Sequence, residues 1–360
     1  MPAVVRSAVV DWRLAERVAG RVAGTEPLAM SYRAAGLASD FGEATEEAVG
    51  LVTMTTGLVP AGATRAAVVD RPGWVAVNVV AFERLLAPLL DSMGARLTGW
   101  GATPARAVTR TVAGTELGVL LGWMAQKVLG QYDLLVDGEP GAPGSGDAVY
   151  YVGPNVLALE QRYGFPPAEF RLWLALHEVT HRAQFTGVPW LRGHYLGLVG
   201  RVLGGIEPDT GRLIEALRDL ARRDRAERAA LLARSGVAGL LASPDQRAAL
   251  DELAGLMSLL EGHGDITMDR AGQGRVPSAE RFGQVLRARR ASRPAAVRVL
   301  HRLTGLEAKL AQYEAGERFV RAVEAARGDA GVARCWERPE HLPTSEEIQD
   351  PARWLARVSA

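Results

Sequence analysis

Cysteine is almost missing from this sequence: Cys335 stands alone among 360 residues. One thiol makes no internal disulfide, and it excludes a zinc site built from cysteines. Such a chain suits a reducing compartment. Long apolar runs are missing too. No stretch reaches the roughly 20 apolar residues that span a bilayer. Near the start, Asp11, Arg13, Glu16 and Arg17 interrupt what would have to be the apolar region of a signal peptide. The expectation is a cytoplasmic protein with no membrane partner. Excess charge is equally scarce, with a formal net charge of +1. Nothing electrostatic therefore calls for nucleic acid or an anionic surface.

Hydrophobic residues make up 48% of the chain and charged ones 23%, enough for a sizeable core. The stretch that carries chemistry is His177-Glu178-Val179-Thr180-His181. On a helix, positions i and i+4 share a face about 5–6 Å apart. His177 and His181 can then aim ring nitrogens at one point, and Zn–N bonds of about 2.0–2.1 Å fit that geometry. Glu178 projects beside such an ion, where a general base for an activated water belongs. The plainer reading is two surface histidines next to a solvated glutamate. The surroundings argue against it. Gly164-Phe165-Pro166-Pro167 suits a helix start, and Gly187 with Pro189 suits its end. Between them Phe170, Trp173, Leu174, Leu176, Val179 and Ala183 recur at helical spacing. The helix is apolar around most of its circumference, and buried ionisable groups are costly unless paired or metal-bound.

The rest of the chain reads as mainly α. Residues 9–24, 40–58 and 75–90 have amphipathic helical spacing, with Asp70-Arg71-Pro72-Gly73-Trp74 as a turn before the third. Gly114, Gly118 and Gly122 form a small-residue stripe that lets another helix approach closely; Glu116, Gln126 and Lys127 make it a core helix rather than a membrane one. Residues 137–147, DGEPGAPGSGD, are the clearest loop. The chain is expected to form a single unit, 1–360, divisible there into a helical lobe, 1–136, and a lobe carrying the motif, 148–360. A small β element, Ala148-Val149-Tyr150-Tyr151-Val152, precedes the motif helix and is closed by Gly153-Pro154-Asn155. It is either an ordinary strand or one that pairs with an extended substrate. Residues 211–235 read as a solvated helix rich in arginine. Ser243-Pro244-Asp245-Gln246 opens another helix, with Ser243 as its cap. The basic run 287–293 is short and lacks interleaved aromatics, so it reads as an exposed face. A last long helix covers 295–327, and the proline-containing tail from Cys335 is expected to pack as an extended segment.

A catalytic zinc takes three protein ligands and keeps one open position. The third ligand is assigned to Glu261, which ends an apolar helical run where an unpaired carboxylate would be expensive. Asp265, four residues on and on the same face, can accept the N–H of a ligand histidine and fix its ring. His263, His194 and Asp269 compete for the third position. Tyr313, His301 and Tyr151 are candidate donors to a transition state.

HEVTH with the distant Glu261-x-x-x-Asp265 resembles the zincin metallopeptidases of the Glu-liganded branch, which implies zinc on His177, His181 and Glu261 with Glu178 as base. A third histidine six residues after His181, as in metzincins, is absent; Gly187 stands there. The strings HEVTHRAQFTGVPWLRGH, MSLLEGHGDITMD, DRPGW, GLEAKLAQYEAGERFV and PEHLPTSEEIQDPARWL are similar to a zincin-like hydrolase family of high-GC bacteria. That resemblance covers most of the chain. It implies a mainly α, zincin-like core, a cytoplasmic location and, for some members, a link to a deazaflavin cofactor pathway. Arg182, directly after the second histidine, departs from common peptidase sequences. The reading is a zinc-dependent hydrolase of peptide or other amide bonds, with oligomeric state undetermined. The alternative is a zinc-binding protein without turnover that serves as a structural or partner-binding module.

Overall fold

A computed structural model describes residues 9–97, 104–134, 147–204, 243–291 and 306–358. The expected helix at 211–235 and the candidate donor His301 lie outside them, as do most of the 137–147 loop and the end of the basic run; the Tyr313 side chain is likewise not described. The described chain is mainly helical with one small sheet. It divides into two compact units, one comprising Met1–Gly187 with Met268–Phe282 and the other Val188–Thr267 with Gly283–Ala360.

The first unit holds α1 (Trp12–Ala23), α2 (Leu37–Thr56), β1 (Arg65–Val69), α3 (Arg71–Leu97) and α4 (Pro104–Ala125). After them come β2 (Gly130–Tyr132), β3 (Ala148–Val152), α5 (Gly153–Tyr163) and α6 (Pro167–Gly187). Strand order is β1-β3-β2. The central strand β3 runs parallel to β1, with Arg65 opposite Ala148, and antiparallel to β2, with Tyr132 opposite Val149. All five residues of β3 are buried, as a central strand covered on both faces requires. β2 and β3, which flank the 137–147 loop, thus pair within one unit.

Two differences from the sequence reading have local causes. Asp70 does not make a free turn: its Oδ1 accepts the Gly73 N–H at 2.7 Å and caps α3, which starts at Arg71. Gly153-Pro154-Asn155 does not merely close the strand. Pro154 sits in the first turn of α5, where its missing N–H costs nothing. Asn155 is buried there and donates to the carbonyls of Ala125 and Val128. The glycine stripe behaves as its spacing implies. A Cβ at Gly114, Gly118 or Gly122 would lie 2.6 Å from the carbonyl oxygen of Asp11, Ala15 or Ala19, so α4 lies backbone-to-backbone on α1.

The motif helix α6 is anchored by aromatic packing. Phe165, Phe170, Trp173 and Phe282 form a cluster with ring centroids 4.7–6.2 Å apart. Each such side chain contributes about 1.5–3 kcal/mol on burial. At its N-terminal end, Arg171 grips Glu160 of α5 through two bonds of 2.8 and 3.0 Å and also pairs with Asp40 of α2.

In the second unit lie α7 (Leu191–Gly204), most of α8 (Pro244–Ala271), α9 (Ala279–Ala291) from Gly283 onward, and α10 (Leu306–Ala333). Ser243 and Gln246 form the expected reciprocal cap of α8, at 2.8 and 3.1 Å. α8 and α10 cross where both have glycine: a Cβ at Gly262 would meet the Gly316 backbone at 2.1 Å. The core of this unit gathers Leu259, Ile266, Phe319, Val323, Cys335 and Trp354. The tail is helical rather than extended. Thr344 and Glu347 cap α11 (Ser345–Gln349), and Asp350-Pro351 starts α12 (Pro351–Arg357). The prolines here start helices instead of preventing them.

Candidate metal centre

Every residue of α6 from Phe170 to Phe185 is buried except His177 and His181. The spacing that puts both on one face also makes that face the only opening in the buried part of the helix. Their rings lie with centroids 4.7 Å apart and nearly perpendicular, at 87°. His181 Nδ1 contacts Gln184 Oε1 at 3.0 Å. A carboxamide oxygen only accepts, so Nδ1 carries the proton and Nε2 holds the lone pair a metal needs. Gln184 is fully buried and fixes that tautomer from one helical turn away.

Glu178 is itself buried, and its Oε2 accepts the backbone N–H of Tyr132 in β2 at 3.0 Å. The carboxylate thus lies at the edge of the sheet.

Helix α8 has a matching pattern. From Ser258 to Met268 every residue is buried except Glu261 and Asp265, again four apart. Among the described residues, one group of three His, Cys, Asp or Glu side chains has ligand atoms all within 4.8 Å of one another: His177, His181 and Glu261. Two imidazoles and one carboxylate form a donor set typical of catalytic zinc, with bonds of about 2.0–2.2 Å, and small side-chain rotations close that spacing onto one ion. The residues present therefore fit a zinc ion.

The competing residues are placed elsewhere. His263 is buried with its ring edge-on to Trp336 at 5.1 Å. His194 sits against Trp190 in α7, and burial pushes its pKa down. Asp269 is exposed. The Tyr151 hydroxyl, a candidate donor, is tied to Thr45 at 2.8 Å, and its ring stacks on Phe41. Burial is the main reason its pKa rises; the Thr45 bond opposes the rise and the Glu178 charge adds to it. That hydroxyl belongs to the core.

Arg182 is fully buried and directed into the fold. Its Nε and Nη2 meet the two oxygens of Asp147 at 2.6 Å each, and Nη2 also donates to the carbonyls of Ala61 and Gly62. Its departure from common peptidase sequences is thus explained by packing: it ties α6 to the residue before β3 and to the turn before β1. Two features of the site gave no signal in the sequence. Gln184 is an unremarkable glutamine until the helix places it over His181. Tyr132 meets Glu178 through the backbone of a strand too short to recognise.

A protein from Chloroflexus aurantiacus, described as a presumed hydrolase with a novel fold, has a solved structure similar to this one. Its identity is 31%, with a TM-score of 0.71 over 97% of this chain and 99% of that one. No curated protein matches the chain. Among the described residues, no helix is long and apolar enough to cross a membrane. The family model for zincin-like metallopeptidases matches residues 10–355, nearly the whole sequence, and the chain belongs to that family.

Proposed function

We propose that the protein is a zinc-dependent hydrolase of peptide or other amide bonds, with His177, His181 and Glu261 as metal ligands and Glu178 as general base. The observation that carries this reading is the group of three ligand atoms within 4.8 Å, with a buried carboxylate next in sequence to the first ligand. The family supports it, since peptidases of this type act on amides.

Zinc at such a site supplies Lewis acidity and lowers the pKa of a bound water toward neutrality. The protein does the rest. Gln184 holds His181 in the tautomer that offers Nε2. Glu178 is held through Oε2 by the Tyr132 N–H. Its carboxylate takes the proton of the attacking water and hands it to the leaving amine. Asp265, one turn beyond Glu261 on the same face of α8, is proposed to support a ligand histidine. Among the described residues the group comprises three ligands, which suits an open catalytic position better than a closed structural site. The proposed location, in keeping with the single buried thiol, is the cytoplasm.

Glu178→Gln tests the mechanism. It is expected to keep one zinc per chain and to lose amide hydrolysis by about 10²–10⁴-fold. Turnover equal to wild type would remove Glu178 from the mechanism.

A further inference from the structure

The edge strand β2 alternates. The Leu129 carbonyl accepts from Val152 at 2.9 Å, and the Asp133 N–H donates to Ala148 at 3.0 Å, so the odd-numbered positions face β3. Gly130 and Tyr132 direct their backbone groups to the opposite side. There the Tyr132 N–H meets Glu178 Oε2. A Cβ at Gly130 would stand 2.6 Å from Glu178 Oε1, 2.8 Å from its Cγ and 2.9 Å from its Cδ. No real Cβ tolerates such contacts, so the carboxylate occupies the volume where a side chain would be. The strand itself is clamped. Gln131 accepts from Trp74 Nε1 at 2.7 Å and donates to Asn78 Oδ1 at 3.1 Å, both on α3.

Helix α6 fixes only the Cα and Cβ of Glu178, and three torsions beyond them are set by the surroundings. We infer that β2 positions Glu178: the backbone N–H of Tyr132 holds the carboxylate, and the absence of a side chain at Gly130 gives it room. This rests on the reading of Glu178 as the base. Gly130 and Tyr132 are positioning residues, since they act through Glu178. A base held in one pose wastes no encounters on unproductive ones.

Amide hydrogen exchange on the full-length protein tests the contact without any need for turnover. The Tyr132 amide is expected to exchange at least tenfold faster in Glu178→Ala than in wild type. The neighbouring Asp133 amide, bonded to β3, should keep its rate. Glu178→Gln, which retains an acceptor oxygen, should keep most of the Tyr132 protection. Acceleration at both amides, or at neither, overturns the inference.

A second arm reads kinetics beside zinc content. Proline fits at 132 because that N–H does not serve the β3 ladder. Tyr132→Pro is expected to fall at least tenfold below Tyr132→Ala in kcat, with KM and zinc content alike in the two. Gly130→Ala should behave as Tyr132→Pro does. Equal kcat in the proline and alanine variants would overturn the inference. A wild-type protein that binds zinc but cleaves no amide would instead overturn the hydrolase reading, while the exchange result still decides the contact.

Discussion

The Arg182–Asp147 pair gives an asymmetric prediction. Arg182 has a side chain with no exposed surface, whereas that of Asp147 is 32% exposed. Removing one partner of a buried ion pair costs about 3–5 kcal/mol, because the other charge is left uncompensated. Asp147→Asn strands a guanidinium with no access to water, so its cost belongs near the upper end, about 5 kcal/mol. Asparagine also tolerates the left-handed backbone of residue 147, where φ is 75°. The loss is therefore electrostatic and not conformational. Arg182→Met strands a carboxylate that water can reach, and its cost belongs near the lower end, about 3 kcal/mol. Among the described residues, Nη1 of Arg182 has no hydrogen-bond partner. The native pair is thus imperfectly compensated, and the double variant should be more stable than Asp147→Asn alone. Urea unfolding with an unchanged m-value is the assay. Additive losses, or Arg182→Met costing more than Asp147→Asn, would refute the reasoning.

Two further outcomes concern Gln184 and Glu347. Gln184→Leu fills its buried site without an acceptor for His181 Nδ1 and should weaken zinc affinity by about 10–100-fold, measured by competition with a chelator. The C-terminal segment should loosen in acid through Glu347. Burial raises the pKa of that carboxyl, but hydrogen bonds from Arg357 and from the Thr344 backbone outweigh it and leave the pKa lowered. A depressed carboxyl stabilises above its unfolded pKa, near 4.3. That contribution is lost as pH falls through the lower folded value. Tryptophan fluorescence, which includes Trp336 and Trp354, should show the acid transition, and Glu347→Gln should remove this part of it.

The motif helix was legible because His177 and His181 interrupt a largely apolar periodicity on one face, and these two are the residues between Phe170 and Phe185 that α6 leaves unburied. The carboxylates of α8 stood out for the same reason, and β3 was legible as a run of β-formers between turn residues. β1 and β2 were not. Arg65-Ala-Ala-Val-Val alternates weakly, and Gly130-Gln-Tyr is three residues opening on glycine. Both are strands because β3 offers them hydrogen bonds, which is a tertiary cause. Asp70 and Pro154 were read as turn formers, although the same residue types also begin helices; only the following packing decides between the two. Partners that act through backbone, such as the Tyr132 N–H, leave no trace in residue type.

Zinc content tests the central claim most directly, in untagged wild type beside His177→Ala and Glu261→Ala. The account predicts about one zinc per chain in the wild type and loss of the metal in both variants. A wild type that takes up no zinc when it is supplied, or a Glu261→Ala variant that binds it as tightly as wild type, would contradict it.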